Sequence, residues 1–247
     1  GTFKDRLLLE QDPFALVEKE HLGGTCLNYG CIPSKAILGS SELMHHIQHA
    51  AEMGIDVPAG ASVNWAKIQS RKDKVLQTLR TGIKGLLGAR KVAVFQGRAT
   101  VAGAGKVVVT NPAGASEEFT ADKLILAVGS VPSRIPGWPT DASVVCTSDE
   151  ALHWKTLPKS LLIVGGGVIG CEFACMMQPL GVEVTIVEML PQILPNLDGQ
   201  VAQLLAKIRP AIAATEYAGD RSAGNAAFVD AVARKNVELT VAGIRKR

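Results

Sequence analysis

The sequence predicts an α/β protein built on parallel layers, and three observations carry that prediction. Short Val/Ile/Leu runs recur along the chain. Glycine is abundant, at 25 of 247 residues, whereas aromatic residues make up only 4%. A strand, a glycine turn, a helix and a second strand follow one another from Leu161 to Val187. Apolar runs ending in glycine are the pattern of buried parallel strands whose turns approach cofactors. With 47% hydrophobic and 20% charged positions, the chain is long enough for one large domain or two small ones with real cores.

Composition also excludes classes. The net charge of +3 is small and the basic residues are dispersed. No basic stripe with interleaved aromatics exists, so nucleic acid is not an expected partner. No run approaches the roughly 18 apolar residues of a membrane span, and no leader resembling a signal peptide opens the chain. Five cysteines at irregular spacing do not form a secreted disulfide framework. The expected compartment is reducing: cytoplasm, or the mitochondrial matrix in a eukaryote. There, a close cysteine pair is catalytic or metal-binding more often than structural.

Taken in order, Phe14 to Val17 reads as a short buried strand ending at Glu18. A turn containing glycine and cysteine leads to a helix from about Ser34 to Glu52. Asn64 reads as the N-cap of a longer helix through Leu87. Val92–Phe95, Ala99–Val101 and Lys106–Thr110 read as an antiparallel meander. Lys123 to Ala127 reads as another buried strand. The cluster Pro132, Pro136, Gly137 and Pro139 marks the expected domain junction. Beyond Pro158 come strand Leu161–Val164, helix Val168–Leu180, strand Val182–Val187, a loop over Ile193–Asp198 and a helix over Gly199–Ile208. Acids closing two strands, Glu18 and Glu188, hint at a duplicated nucleotide-binding design.

Gly23-Gly24-Thr25-Cys26-Leu27-Asn28-Tyr29-Gly30-Cys31-Ile32-Pro33-Ser34-Lys35 is the most informative stretch. Five residues of regular helix rise about 7.5 Å, whereas a disulfide needs Cα atoms about 4.4–6.8 Å apart. Cys26 and Cys31 therefore cannot bridge across an undistorted helix. Gly30 permits unusual backbone angles, and Pro33 suits a helix start just beyond the second cysteine. A thiolate near that start is expected to have its pKa lowered by the helix dipole and by Lys35. Spacing alone leaves three readings open: a redox pair, a zinc half-site, or two unrelated buried cysteines. No second ligand pair at zinc spacing accompanies the first.

The wording of the stretch adds a further reading. GGTCLNYGCIPSK resembles the active-site signature of the class I pyridine nucleotide–disulfide oxidoreductases, with CLN and CIPSK nearest the lipoamide dehydrogenase branch. The resemblance implies a Cys26–Cys31 disulfide in which Cys26 exchanges with a dithiol and Cys31 passes electrons to a flavin. It implies that Lys35 sits near the flavin ring, that the turn through Gly23, Gly24 and Thr25 passes FAD, and that Glu18 binds the adenosine ribose. Weaker FAD contacts are implied at Gly97 and at Val128-Gly129-Ser130, where Val128 replaces the usual threonine. The implied reaction oxidises dihydrolipoamide, free or on a lipoyl-bearing protein, and reduces NAD. Alternatives are a catalytically silent remnant that binds nucleotide or a partner chain, and a sister enzyme reducing another disulfide or mercuric ion.

A second site follows from Gly165, Gly167 and Gly170, a GxGxxG match with a strand before it and a helix after it. The first glycine allows the turn, the second admits a pyrophosphate at the helix N-terminus, and the third lets helix pack on strand. Glu188 lies eighteen positions beyond Gly170. A carboxylate there accepts from both ribose hydroxyls and repels a 2′-phosphate, which favours NAD over NADP. Glu172 matches the family's VIGxE pattern and is implied to help position nicotinamide. Cys171 and Cys175, one turn apart, read as small packing residues, and His45, His46 and His49 as a partly exposed helical face.

The resemblance runs from about Phe14 to Ile208. The family's opening GxGxxG, the remainder of its NAD domain, and the C-terminal dimerisation domain with its histidine–glutamate pair have no counterpart in these residues. The expectation is a chain shortened at both ends, completed by a homodimer partner or a complementing chain. The expected fold is therefore two incomplete Rossmann-like domains. Residues 1–139 would form a partial FAD domain with the meander, 140–208 a partial NAD domain, and 209–247 a divergent segment.

Overall fold

A computed structural model describes residues 14–58, 60–138, 144–195 and 211–212. The expectations for residues 1–13, 139–143 and 213–247, and the helix over Gly199–Ile208, lie outside the described residues. The chain divides into two compact units, Gly1–Ala36 with Gln69–Pro132 and Ile37–Ile68 with Ser133–Arg247. Among the described residues no helix is long and apolar enough to cross a membrane.

In the first unit, strand β1 (Ala15–Glu18) pairs in parallel with β2 (Ala93–Gln96), Ala15 opposite Ala93 and Glu18 opposite Gln96. Strands β3 (Arg98–Gly103), β4 (Lys106–Thr110) and β5 (Ser116–Thr120) form a separate antiparallel sheet in the order β3-β4-β5. The meander thus differs from the sequence reading at both ends. Its expected first strand pairs elsewhere, and its third strand, Ser-Glu-Glu-Phe-Thr, is nearly all polar. β5 is held by its ladder with β4, where Val107 stands opposite Phe119 on the face that also carries buried Val109. Phe119 then packs on buried Phe95, ring centroids 5.1 Å apart.

Two expectations of burial fail here. β1 is a strand, but Phe14 is 64% exposed and Leu16 is exposed as well. The apolar run Lys123–Ala127 is not a strand, and Ile125 and Val128 are each 85% exposed. Apolar composition gives a strand its propensity; a ladder also needs a neighbouring backbone, and among the described residues none pairs with this run.

Helix α1 (Gly24–Tyr29) and helix α2 (Cys31–Gln48) are separated by Gly30 alone. α2 begins three residues earlier than expected, which puts Pro33 inside its first turn, where a missing N–H costs nothing. A 3₁₀ turn, Ala50–Met53, follows it. The long α3 (Trp65–Ala89) starts as the sequence predicts: Asn64 Oδ1 accepts from Lys67 N at 3.0 Å.

The second unit is a parallel sheet in the order β6 (Ser160–Val164), β7 (Glu183–Val187) and β8 (Ala211–Ile212). The short α4 (Ser148–Ala151) opens on a capping box between Thr147 and Glu150. Helix α5 (Val168–Met177) makes the β6–β7 crossover and buries Phe173, Ala174, Met176 and Met177. These meet Ile37, Trp65, Leu152 and Ile186 in one core. Buried Ser41 donates its hydroxyl to the Met176 carbonyl at 2.6 Å, and Trp65 Nε1 donates to the Trp154 carbonyl at 2.9 Å.

Candidate functional site

Cys26 lies in α1 and Cys31 is the first residue of α2, so the break at Gly30 stands between them. Gly30 adopts φ −138° and ψ −115°, outside helical values, and a Cβ there would sit 3.3 Å from the Cys26 Cα. The expected bent turn is thus two helices meeting at a glycine. Both cysteines are exposed free thiols, joined by a hydrogen bond between their side chains. That bond is the largest cause raising the Cys26 thiol above its ordinary value, followed by burial and then by the Cys31 charge. Lys35, exposed in the second turn of α2, opposes the rise but acts last. For Cys26 the balance is therefore upward: the interaction with Cys31 outweighs one lysine.

The loop leading into this turn is held by Asn28. Its side chain is 1% exposed, and Nδ2 donates to the carbonyls of Gly24 (2.8 Å), Leu22 (3.2 Å) and His21 (3.3 Å). Its Oδ1 accepts from Arg80 Nε at 2.6 Å. Neither residue was assigned a role from sequence. Asn28 sat inside the motif without one, and nothing local points to Arg80, 52 positions away.

Several of the other predicted residues come together. Ser130 N donates to Thr25 Oγ1 at 3.1 Å. Gly129, at φ +75°, lies so close that a Cβ would fall 2.6 Å from that oxygen. Gly23 and Gly24 have positive φ at the exposed entry to α1. Glu18 ends β1, half-buried, with Oε1 accepting from Glu20 N at 2.8 Å. Its carbonyl accepts from Gly97 N at 2.9 Å, which places Gly97 at the same strand end.

The second unit holds the other predicted set. Gly165 N donates to the Val187 carbonyl at 2.8 Å, closing the turn onto β7. Gly167 caps α5, with nothing within 4 Å of where its Cβ would be. Gly170 faces the strand: a Cβ would overlap the Gly165 carbonyl oxygen and lie 3.1 Å from Ile163 Cγ2. Glu188 turns back on the glycine loop. Its Oε2 accepts from Gly166 N at 2.6 Å and its Oε1 from Leu190 N at 2.9 Å. Leu194 N closes the far side on the Gly166 carbonyl at 2.7 Å, so Gly166 is the hub that sequence reasoning missed.

Glu172 is half-buried in α5, one turn before Cys175. Cys171, half-buried, donates its thiol to the Gly166 carbonyl at 3.3 Å. Its pKa is raised first by burial. Cys175 is exposed, contrary to the packing role expected for it. His45 and His46 are exposed and His49 half-exposed, as predicted. Among the described residues no group of three or more His, Cys, Asp or Glu could hold a metal ion.

Each unit thus holds its own chemistry: an accessible dithiol at a helix break in the first, and an open helix N-terminus beside a fixed carboxylate in the second. The chain matches the family model described as pyridine nucleotide-disulphide oxidoreductase over residues 6–210. It is 42% identical over 190 residues to a dihydrolipoyl dehydrogenase of Bacillus subtilis (strain 168), covering 76% of this chain and 41% of that protein. It is 40% identical over 197 residues to one of Acholeplasma laidlawii, covering 78% and 57%. Two solved structures are similar. LpdA from Mycobacterium tuberculosis superposes with a TM-score of 0.71 at 25% identity, covering 79% of this chain and 43% of that one. The HOCl-induced flavoprotein disulfide reductase RclA from Escherichia coli, solved as a Cu(II) complex, gives 0.66 at 29% identity, covering 78% and 41%. The chain thus spans roughly two fifths to three fifths of these proteins' lengths.

Proposed function

We propose that this chain, which belongs to the pyridine nucleotide-disulphide oxidoreductase family, carries the thiol–disulfide exchange centre and nicotinamide-nucleotide cradle of a flavin-dependent, dihydrolipoyl dehydrogenase-like enzyme. The observation that carries this reading is the Cys26–Cys31 pair, two exposed thiols on either side of a glycine break. Starting from the disulfide, one thiolate of a dithiol substrate attacks Cys26 Sγ, the Cys26–Cys31 bond breaks, and Cys31 leaves as a thiolate. The substrate's second thiolate then displaces Cys26 from the mixed disulfide. The substrate leaves as a cyclic disulfide, and the pair gains two electrons. Cys26, displaced as a thiolate and with its pKa raised, takes up the proton that the substrate's second thiol released on attacking. Exposure of both sulfurs suits a dithiol borne on a carrier, as in dihydrolipoamide on a lipoyl-bearing protein.

The residues present fit two dinucleotides. Glu18 ends a parallel strand with accepting capacity left beyond its bond to Glu20 N, and Gly129 closes on Thr25 beside the cysteine turn; these and Lys35 would hold FAD. Gly167 leaves room for a pyrophosphate at the N-terminus of the ten-residue α5. Glu188 is fixed by two backbone N–H groups, and a carboxylate has about four accepting sites, so both its oxygens can still take ribose hydroxyls. That supports NAD over NADP. When bound, FAD supplies the two-electron carrier between dithiol and nicotinamide. The proposed setting is the reducing cytoplasm.

The test is direct. Purified chain is incubated with FAD, desalted, and titrated anaerobically with NADH. Retained flavin absorbance that bleaches with NADH, together with one disulfide formed per chain in air, is expected. A colourless, NADH-inert protein whose cysteines never pair refutes the reading.

A further inference from the structure

We infer that Asn28 and Arg80 act as a positioning latch, holding the Cys26 turn in the geometry from which the cysteine pair closes to a disulfide. The inference rests on the disulfide-exchange reading and concerns residues that reading does not use. α1 has six residues and no side-chain cap. A helix that short does not hold itself in water, so its orientation is set by what ties it down. The Asn28 carboxamide lies between the two cysteines in sequence and is fully buried. Its two N–H hydrogens serve three carbonyls of the entering loop, and its oxygen is held by the guanidinium of Arg80 from α3.

Arg80 therefore fixes the amide plane, and the amide plane fixes the loop that aims Cys26. An apolar side chain at position 28 would strand those carbonyls, and loss of Arg80 would free the amide to turn. Either change lets α1 pivot about Gly30, where the backbone already departs from helix. The thiols then spend less time within bonding distance, and the effective concentration of one toward the other falls.

The measurement is the exchange equilibrium with glutathione. The Cys26–Cys31 disulfide plus two glutathione thiols gives the Cys26/Cys31 dithiol plus glutathione disulfide, with two electrons and two protons passing to the protein pair. In Arg80→Gln the equilibrium shifts toward the dithiol about tenfold, a rise in reduction potential of about 30 mV. Arg80→Lys keeps the charge and one donor and falls between parent and Arg80→Gln. Where Arg80→Gln does not fold, Arg80→Lys carries the comparison.

A second readout separates positioning from mere stability. Once the sulfurs part, Cys26 loses the bond that raises its pKa, so its alkylation profile moves to lower pH. Ser41→Ala, which removes a buried bond to Met176, lowers the melting temperature and moves neither readout. If both Arg80 variants stay within twofold of the parent in equilibrium and in alkylation profile, the latch is refuted while the exchange reading stands. If the parent itself never forms the disulfide in oxidised glutathione, the exchange reading fails first and takes the latch with it.

Discussion

Gly170→Ala is expected to destabilise the chain, although alanine is the better helix former. In an unobstructed helix the change gains about 0.5–1 kcal/mol. At Gly170 the new Cβ overlaps the Gly165 carbonyl oxygen and stands 3.1 Å from Ile163 Cγ2. The first is backbone held by the turn and the second a β-branched side chain on β6, so neither swings aside. α5 must lift from the sheet, and overpacking of this kind costs about 1–3 kcal/mol. The clash wins by about 1–2 kcal/mol, which lowers the melting temperature by about 2–8 °C for a chain of this size. Gly39 is the internal comparison: it lies within α2, in the same unit, with nothing within 4 Å of its Cβ position. Gly39→Ala should raise the melting temperature by about 1–4 °C. Thermal unfolding of both variants decides the matter. If Gly170→Ala melts at or above the parent, or if both substitutions shift in the same direction, the packing argument is wrong.

Three further outcomes are expected. Cys31→Ala removes the largest cause raising the Cys26 thiol, so the midpoint of Cys26 alkylation against pH falls; an unchanged or higher midpoint contradicts that cause. Glu188→Gln removes the charge that faces the nucleotide and weakens one end of the Gly166 bond. NADH affinity by fluorescence titration should drop about ten- to a hundredfold, as expected for a charge-assisted bond of roughly 1.5–3 kcal/mol, while NADPH affinity falls less. Thr147→Ala breaks the capping box of α4 and costs about 0.5–2 kcal/mol. The Thr147 hydroxyl is the main reason that the Glu150 carboxyl lies below its ordinary value. The carboxylate's share of that cap is thus complete above the ordinary glutamate range and is lost as pH falls through the lowered folded value. The parent's extra stability over Thr147→Ala should shrink in that window, measured as melting temperature against pH.

What could be read in the sequence was what local chemistry decides. The β6–α5–β7 unit is legible because a buried parallel strand, a glycine turn and an apolar helix each carry their own signal. Asn64 announces α3 for the same reason. β5 was invisible because one phenylalanine among polar residues has little propensity; its place is decided by β4 beside it. Lys123–Ala127 erred in the opposite sense, with propensity present and no described strand to pair with. At the cysteine turn, Gly30 flagged the break. The direction of the Cys26 shift, however, depended on a sulfur–sulfur contact that spacing alone does not reveal. Arg80 was beyond reach for the plainest reason: its partner lies 52 positions away and meets it only through folding.

The run Leu124–Val128, with which no described strand pairs, bears on how the protein behaves in the tube. Five consecutive uncharged aliphatic residues, free of proline and exposed, with β-branched Ile125 and Val128 among them, are the kind of window through which chains stack edge to edge and aggregate. Self-association should therefore climb with concentration and depend on this window more than on the cysteines, and added reductant will not cure it. A charged gatekeeper at Ile125, which is already turned to water, is the substitution that would keep the chain monodisperse through purification.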